Sequence, residues 1–227
     1  MSFFTKELFT FLSELEENND RKWFEKNKSR YEDVVRTPAL EFIAAMEKPL
    51  KKISPHVLAV PKKVGGSLMR IYRDVRFSKD KSPYKTNLGI QFRHEAGKDV
   101  HAPGFYFHVD TSDIFVGAGL WHPENTVLAQ IRTAIDEEPA KWKRVAHGKK
   151  MTAAFRRYDG ESLKRPPRGF DKDHPLIEDL KLKDHILLAN LKRSDVTGKQ
   201  LVNRLTDMLK LTRPYMRFLC DSIRLPF

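Results

Sequence analysis

Gly104-Phe105-Tyr106-Phe107-His108-Val109-Asp110-Thr111-Ser112-Asp113-Ile114-Phe115-Val116-Gly117-Ala118-Gly119-Leu120-Trp121 consists of two alternating runs joined by Thr111-Ser112. Such a pattern predicts a β-hairpin with a two-residue turn and strands at 104–110 and 113–121. That turn sets Asp110 opposite Asp113, His108 opposite Phe115, Tyr106 opposite Gly117 and Gly104 opposite Gly119. Cross-strand partners share a face. One face is therefore Phe105, Phe107, Val109, Ile114, Val116, Ala118 and Leu120, all apolar, and must be core. The other carries Tyr106, His108, Asp110, Phe115, Gly117, Gly119 and Trp121. Two glycines on one strand face imply close approach by a ligand or by another stretch of backbone. Tyr106 and His108 then become the candidate floor of a concave surface, with Trp121 at its border. The alternative is a helix or loop packed over the glycines.

Working outward, residues 88–94 alternate with Leu88, Ile90 and Phe92 on one face, and 185–191 reads as a last strand. Residues 68–75 also alternate, with Met69, Ile71 and Val75 on one side and Arg70, Tyr72, Asp74 and Arg76 on the other. The flanks are helical. Leu8, Phe11, Leu12 and Leu15 share a helix face, and Asn18-Asn19-Asp20 caps a second helix from about Arg21 to Val35. Further helices are expected near 40–53, 124–137, 139–147 and 174–180, and over 197–223 with a break near Pro214. The pattern is α+β: a mainly antiparallel sheet packed on one face by N- and C-terminal helices. The 227 residues suit a single domain.

Composition narrows the context. Apolar runs are too short to span a bilayer, and Lys6 and Glu7 interrupt the N-terminal apolar stretch, against a signal peptide. Cys220 is the only cysteine, which excludes an internal disulfide and fits a reducing, cytoplasmic compartment. The net charge of +12 is unevenly spread. Segment 70–85 holds six bases and two acids, and segment 141–172 holds eleven bases and three acids, so the remainder is neutral. Concentrated positive charge attracts phosphates, nucleic acid or acidic partners.

The first basic segment runs Arg70-Ile71-Tyr72-Arg73-Asp74-Val75-Arg76-Phe77-Ser78-Lys79-Asp80-Lys81-Ser82-Pro83-Tyr84-Lys85-Thr86-Asn87. It closely resembles the hallmark stretch of the domain-of-unknown-function family numbered 2461, uncharacterised proteins common in bacteria. Asn18-Asn19-Asp20-Arg21-Lys22-Trp23-Phe24 is similar to that family's N-terminal motif, the hairpin to its centre, and Pro167-Arg168-Gly169-Phe170-Asp171-Lys172-Asp173-His174-Pro175 to its late loop. The resemblance covers essentially the whole chain. It implies no activity, cofactor or catalytic residue.

The residues themselves suggest an anion clamp. Arginine offers a planar fork suited to carboxylate or phosphate. Arg70, Arg73 and Arg76, with Lys79, Lys81 and Lys85, are its candidate cations. Asp74 is expected to hold an arginine and Asp80 a lysine, and Tyr72 and Tyr84 supply rings. In the late loop, Arg168, Asp171 and His174 precede an expected helix start at Asp173-His174-Pro175, a second place for an anion. Ordinary capping, which alone explains Asp173 and Pro175, is the preferred reading of that loop.

Nucleotide-loop, nucleophile-elbow and metalloprotease motifs are absent, and His94, His101, His108 and His122 lack metal-ligand spacing. No metal or cofactor is expected. The expected function is binding of an anionic, phosphate-bearing molecule, either a small metabolite or nucleic acid. One alternative is an enzyme pairing His108 or His174 with an aspartate. Another is an interaction module with basic docking faces.

Overall fold

The computed structural model describes residues 2–97 and 102–227. Strands β1 (Val57–Leu58), β2 (Leu88–His94), β3 (Gly104–Val109), β4 (Ile114–Leu120), β5 (Arg156–Arg157) and β6 (His185–Asn190) form one antiparallel sheet in the order β1-β2-β3-β4-β6-β5. The hairpin has the register that its turn dictates. Gly104 faces Gly119, Tyr106 faces Gly117 and His108 faces Phe115. Asp110 Oδ1 closes the turn, accepting from Ser112 N at 2.8 Å and Ser112 Oγ at 3.0 Å.

The apolar face is core. Phe105, Phe107, Val109, Val116, Ala118 and Leu120 are each no more than 1% exposed. Leu88, Ile90 and Phe92 extend this face through β2, and Leu187 and Ala189 through β6. Helices cover it from both ends of the chain. α1 (Lys6–Glu17) buries Leu8, Phe11, Leu12 and Leu15. α2 (Arg21–Lys26) and α3 (Lys28–Tyr31) lead through a π-helical turn at Glu32–Arg36 into α4 (Thr37–Ile53). The expected helix 21–35 is thus broken at Asn27, and Pro38 directly follows the π-helical turn, as the second residue of α4. Phe42 of α4 lies 5.5 Å from Phe107 across the layer.

The second helical group follows the hairpin. It comprises α5 (Asn125–Glu137), α6 (Pro139–Ala146), α7 (Lys149–Ala154), α8 (Ile177–Leu180), α9 (Arg193–Val196), α10 (Leu201–Leu211) and α11 (Arg213–Ser222). Trp142 of α6 packs against Phe218 at 5.1 Å and Tyr215 at 5.6 Å, both on α11. Among the described residues, no helix is long and apolar enough to cross a membrane.

Segment 68–75 departs from a regular strand. Leu68 bridges Ile90, and Met69 N donates to Gly89 O at 2.9 Å. The chain then leaves β2 and pairs with its own return: Tyr72 bridges Tyr84, and Lys85 N donates to Ile71 O at 2.7 Å. Ile71 is buried in the core, while Met69 lines a cavity on the opposite face of the sheet. The bend between them undoes simple alternation, because the aromatic anchors of the return arm lie on α2 rather than on the sheet.

His185 is a polar residue on the core face of β6, opposite Leu120. It is 1% exposed, its ring meets Trp142 edge-on at 5.6 Å, and among the described residues neither ring nitrogen has a hydrogen-bond partner. Burial lowers its pKa from 6.5 to about 4.

A Cβ at Gly119 would lie 1.9 Å from His185 O, at φ +142°, whereas at Gly117 the nearest atom is the flexible Leu188 Cδ2 at 3.2 Å. Urea unfolding is expected to show Gly119→Ala losing about 3 kcal/mol or more and Gly117→Ala no more than about 1 kcal/mol. Folded, His185 stays neutral down to about pH 4; unfolded, it takes up a proton as pH falls through its ordinary 6.5, so stability falls as pH drops from about 6.5 towards 4. The loss specific to this residue is about 3 kcal/mol, and His185→Leu is expected to remove it from the pH–stability profile.

Candidate functional site

The outer face of the sheet is built by alternation. Gly89 and Gln91 of β2, Tyr106 and His108 of β3, Phe115 and Gly117 of β4, and Ile186 and Leu188 of β6 point away from the core. Over them lies a cavity of about 340 Å³. Tyr106, Gly117 and Leu188 form its floor, and Met69, Gln91, Phe115, Trp121 and Tyr158 its sides. Of Gly117 and Gly119, the two glycines expected to admit a ligand or another stretch of backbone, Gly119 admits backbone, yielding to His185 O; Gly104 does likewise, since a Cβ there would lie 2.8 Å from Phe92 O. Gly117 lines the cavity with a flexible side-chain atom, Leu188 Cδ2 at 3.2 Å, as its nearest neighbour and backbone no closer than Leu187 O at 3.8 Å.

Tyr106 and His108, expected as a joint floor, have different places. Tyr106 lines the cavity; His108 lies beside it, its ring stacked on Phe115 at 4.7 Å. His108 Nε2 is 2.9 Å from Asp110 Oδ2, and its Nδ1 is 3.1 Å from Tyr106 Oη. The carboxylate accepts only, so Nε2 carries the proton and Nδ1 accepts from the tyrosine hydroxyl. Burial pushes the Tyr106 hydroxyl up to about 12, which keeps it protonated as this donor. Burial also opposes charge on Asp110, but bonds from Asp113 N, His108 and Ser112 outweigh it and hold the carboxyl below its ordinary value.

At the mouth, Trp121 stacks on His122 at 4.5 Å. His122 has a φ of 47°, uncommon for a residue with a side chain. The buried Asp184 carboxylate holds it there, accepting from His122 N at 2.6 Å and from its Nδ1 at 3.1 Å. Sequence reasoning missed Asp184, His122 as a positioned group, and the lining residues Met69, Gln91, Tyr158 and Leu188. One signal was available: Ile186-Leu187-Leu188-Ala189 is apolar without alternation, the mark of a strand covered on both faces.

The basic segment 70–85 is largely self-paired. Asp74 accepts from Arg76 at 2.7 and 2.9 Å, which lowers its carboxyl to about 2. Asp80 pairs with Arg73, not with a lysine, and is held well below the carboxylate range by Ser82 and Arg73. Lys81 donates to Val75 O at 3.0 Å. Lys79 is exposed, and Phe77 is 95% exposed at the tip. Among the described residues, Arg70 and Lys85 have no carboxylate partner. Lys85 is half-buried, and burial together with the nearby Arg70 lowers its pKa.

The N-terminal motif anchors this segment. Asp20 caps α2, accepting from Lys22 N at 2.8 Å and Trp23 N at 3.0 Å. Asn19 then pairs with the backbone of Tyr84 like a strand neighbour, through bonds of 3.0 and 3.1 Å. Phe24 stacks on the buried Tyr84 ring at 4.1 Å, and Tyr72, half exposed, closes on Tyr84 at 5.4 Å.

The late loop is elsewhere. Its helix begins at Ile177, not at 173–175, because Asp171 and His174 spend themselves on turns: Asp171 accepts from Asp173 N at 2.9 Å and His174 Nδ1 from Leu176 N at 3.1 Å. His174 Nε2 meets Asp136 of α5 at 3.0 Å. Arg168 is exposed. None of Arg168, Asp171 and His174 lines the cavity, and no hydrogen bond, ion pair or ring contact joins this loop to segment 70–85 among the described residues. His101 lies outside the described residues. No group of three or more histidine, cysteine or acidic residues suited to a metal ion occurs among those described. Cys220 is buried, and burial pushes its thiol up to about 12.

The chain belongs to the family described as "Conserved hypothetical protein (DUF2461)", whose model matches residues 7–218. No curated protein and no solved structure matches it.

Asn19→Ala removes both bonds to the Tyr84 backbone. It is expected to cost about 1–2 kcal/mol and to speed proteolysis within 73–81, read by timed digestion and mass spectrometry. Unchanged cleavage would show that Phe24 and Tyr72 suffice to hold the segment.

Proposed function

We propose that this family member binds a small molecule, taking its apolar body into the outer-face cavity and meeting an anionic group with Arg70 and Lys85. The observation that carries this reading is the cavity of about 340 Å³ on a face floored by Tyr106 and Gly117. Ligand sites are mostly apolar hollows with a few placed polar groups, and this volume suits a compact one- or two-ring molecule. Support for the anionic group is local. Arg70 follows the lining residue Met69, and Lys85 is tied to the same arm through Ile71 O. Arg70 and Lys85 form no ion pair with a carboxylate among the described residues and repel each other, and a phosphate or carboxylate would relieve that repulsion. Arg73 and Arg76 are already neutralised by aspartates and take the role of shaping the loop.

A second reading is enzymatic. It is favoured by His122, held in an uncommon backbone conformation by a buried aspartate and stacked on a cavity-lining tryptophan. Such strain is concentrated at functional sites. In this reading a proton-handling imidazole borders the bound molecule, and His174 takes no part. Nucleic-acid binding is less favoured. Of the three rings in the basic segment Tyr84 is buried, which leaves Tyr72 and Phe77 for stacking.

An anilinonaphthalene sulfonate, which joins an aromatic body to one anion, tests the first reading by fluorescence titration. Saturable binding is expected. Leu188→Trp, which fills the floor, is expected to weaken it about tenfold or more. Combined Arg70→Ala and Lys85→Ala is expected to weaken it several-fold and flatten its salt dependence. Equal affinity in the Leu188→Trp protein would remove the cavity from consideration.

A further inference from the structure

We infer that the ring system held in the cavity is planar, uncharged at its inner end, and carries a carbonyl-type acceptor that Gln91 recognises. This rests on the cavity being the ligand site.

Gln91 lies on the outer face of β2, opposite Tyr106 in the ladder, and lines the cavity. Arg93, two residues further along the same face, donates through Nε–H to Gln91 Oε1 at 3.2 Å. A guanidinium has donors and no acceptor, so the glutamine atom facing it must be the oxygen. That contact fixes the orientation of the amide. The Gln91 nitrogen is then the free end, and no acceptor meets it among the described residues. Gln91 is half-buried, so its N–H groups need a partner from water or from a ligand.

The hydroxyl proton of Tyr106, on the floor, is committed. Tyr106 Oη donates to His108 Nδ1, because His108 Nε2 already gives its proton to Asp110. Tyr106 thus offers the cavity its ring. Met69, Phe115 and Leu188 offer apolar surface, Trp121 and Tyr158 offer rings with one polar group each, and among the described residues no charged side chain lines the space. A charge carried to the inner end would lose its hydration without gaining a counter-charge. A carbonyl oxygen matches the amide donor, and a flat ring matches aromatic walls above a glycine floor. Lactams, lactones and quinones have this chemistry.

Coumarin and naphthalene form a matched pair of planar bicycles, with and without a carbonyl. Ligand-observed NMR titration gives the affinity of each for the wild-type chain, for Gln91→Leu and for Leu188→Trp. The ratio of coumarin to naphthalene affinity is expected to fall about fivefold from wild type to Gln91→Leu, as for the loss of one neutral hydrogen bond, with naphthalene binding retained. Leu188→Trp is expected to weaken both fragments equally. A ratio unchanged by Gln91→Leu, with both fragments lost in Leu188→Trp, overturns the inference and leaves the cavity reading standing. If neither fragment binds the wild-type chain, or Leu188→Trp affects neither, the cavity reading fails and the inference falls with it.

Discussion

The carbonyl oxygen of His185 lies 1.9 Å from where a side chain on residue 119 would begin. Only a glycine, here at φ +142°, lets β6 press this closely on β4. Much else depends on that approach. It sets the register in which Leu120 faces His185, Ala118 faces Leu187 and Gly117 faces Leu188. That register turns Leu187 and Ala189 into the core and leaves Ile186 and Leu188 on the outer face, where they line the cavity. It also brings Asp184, the residue before β6, within reach of His122, the second residue after β4.

The same register places a histidine where the core wants an apolar residue. His185 stays neutral because no partner or water-facing surface rewards its charge. Nearby, Asp179 is buried but compensated, with Arg157 on one oxygen and His147 on the other at 3.0 Å. The second basic stretch of the chain is therefore partly internal electrostatics. One of its cations, Arg157, serves a buried carboxylate rather than a docking surface. The first stretch behaves similarly, with aspartates consuming Arg73 and Arg76. High net charge in this chain does not translate directly into free cations.

Two motifs far apart in sequence act as one device. Asn19 and Phe24 bind the return arm of segment 70–85 through a backbone-mimicking amide and a ring stack, on a helix that Asp20 caps. The anchoring ends near Tyr72 and Tyr84, so residues between them project as a stapled loop with Phe77 at its tip. Asn19 reads in the sequence as part of a helix cap, and Asp20 does cap α2. The role of Asn19 emerges only when Tyr84, 65 residues away, arrives beside it.

By itself the sequence determined the α+β class, the hairpin register and the identity of the core face, because a strand's side chains alternate strictly and a two-residue turn leaves one register. It also determined that Tyr106 and the glycines share the outer face. Tertiary structure alone decided what covers that face and which charges are spent. Backbone, not ligand, explains Gly104 and Gly119; Met69, Tyr158 and Leu188 wall the cavity from distant segments; His108 serves Tyr106 instead of the opening. The reason is physical. Alternation and turn geometry are local, whereas ion pairing and the closure of a cavity depend on distances between residues that the chain brings together only on folding.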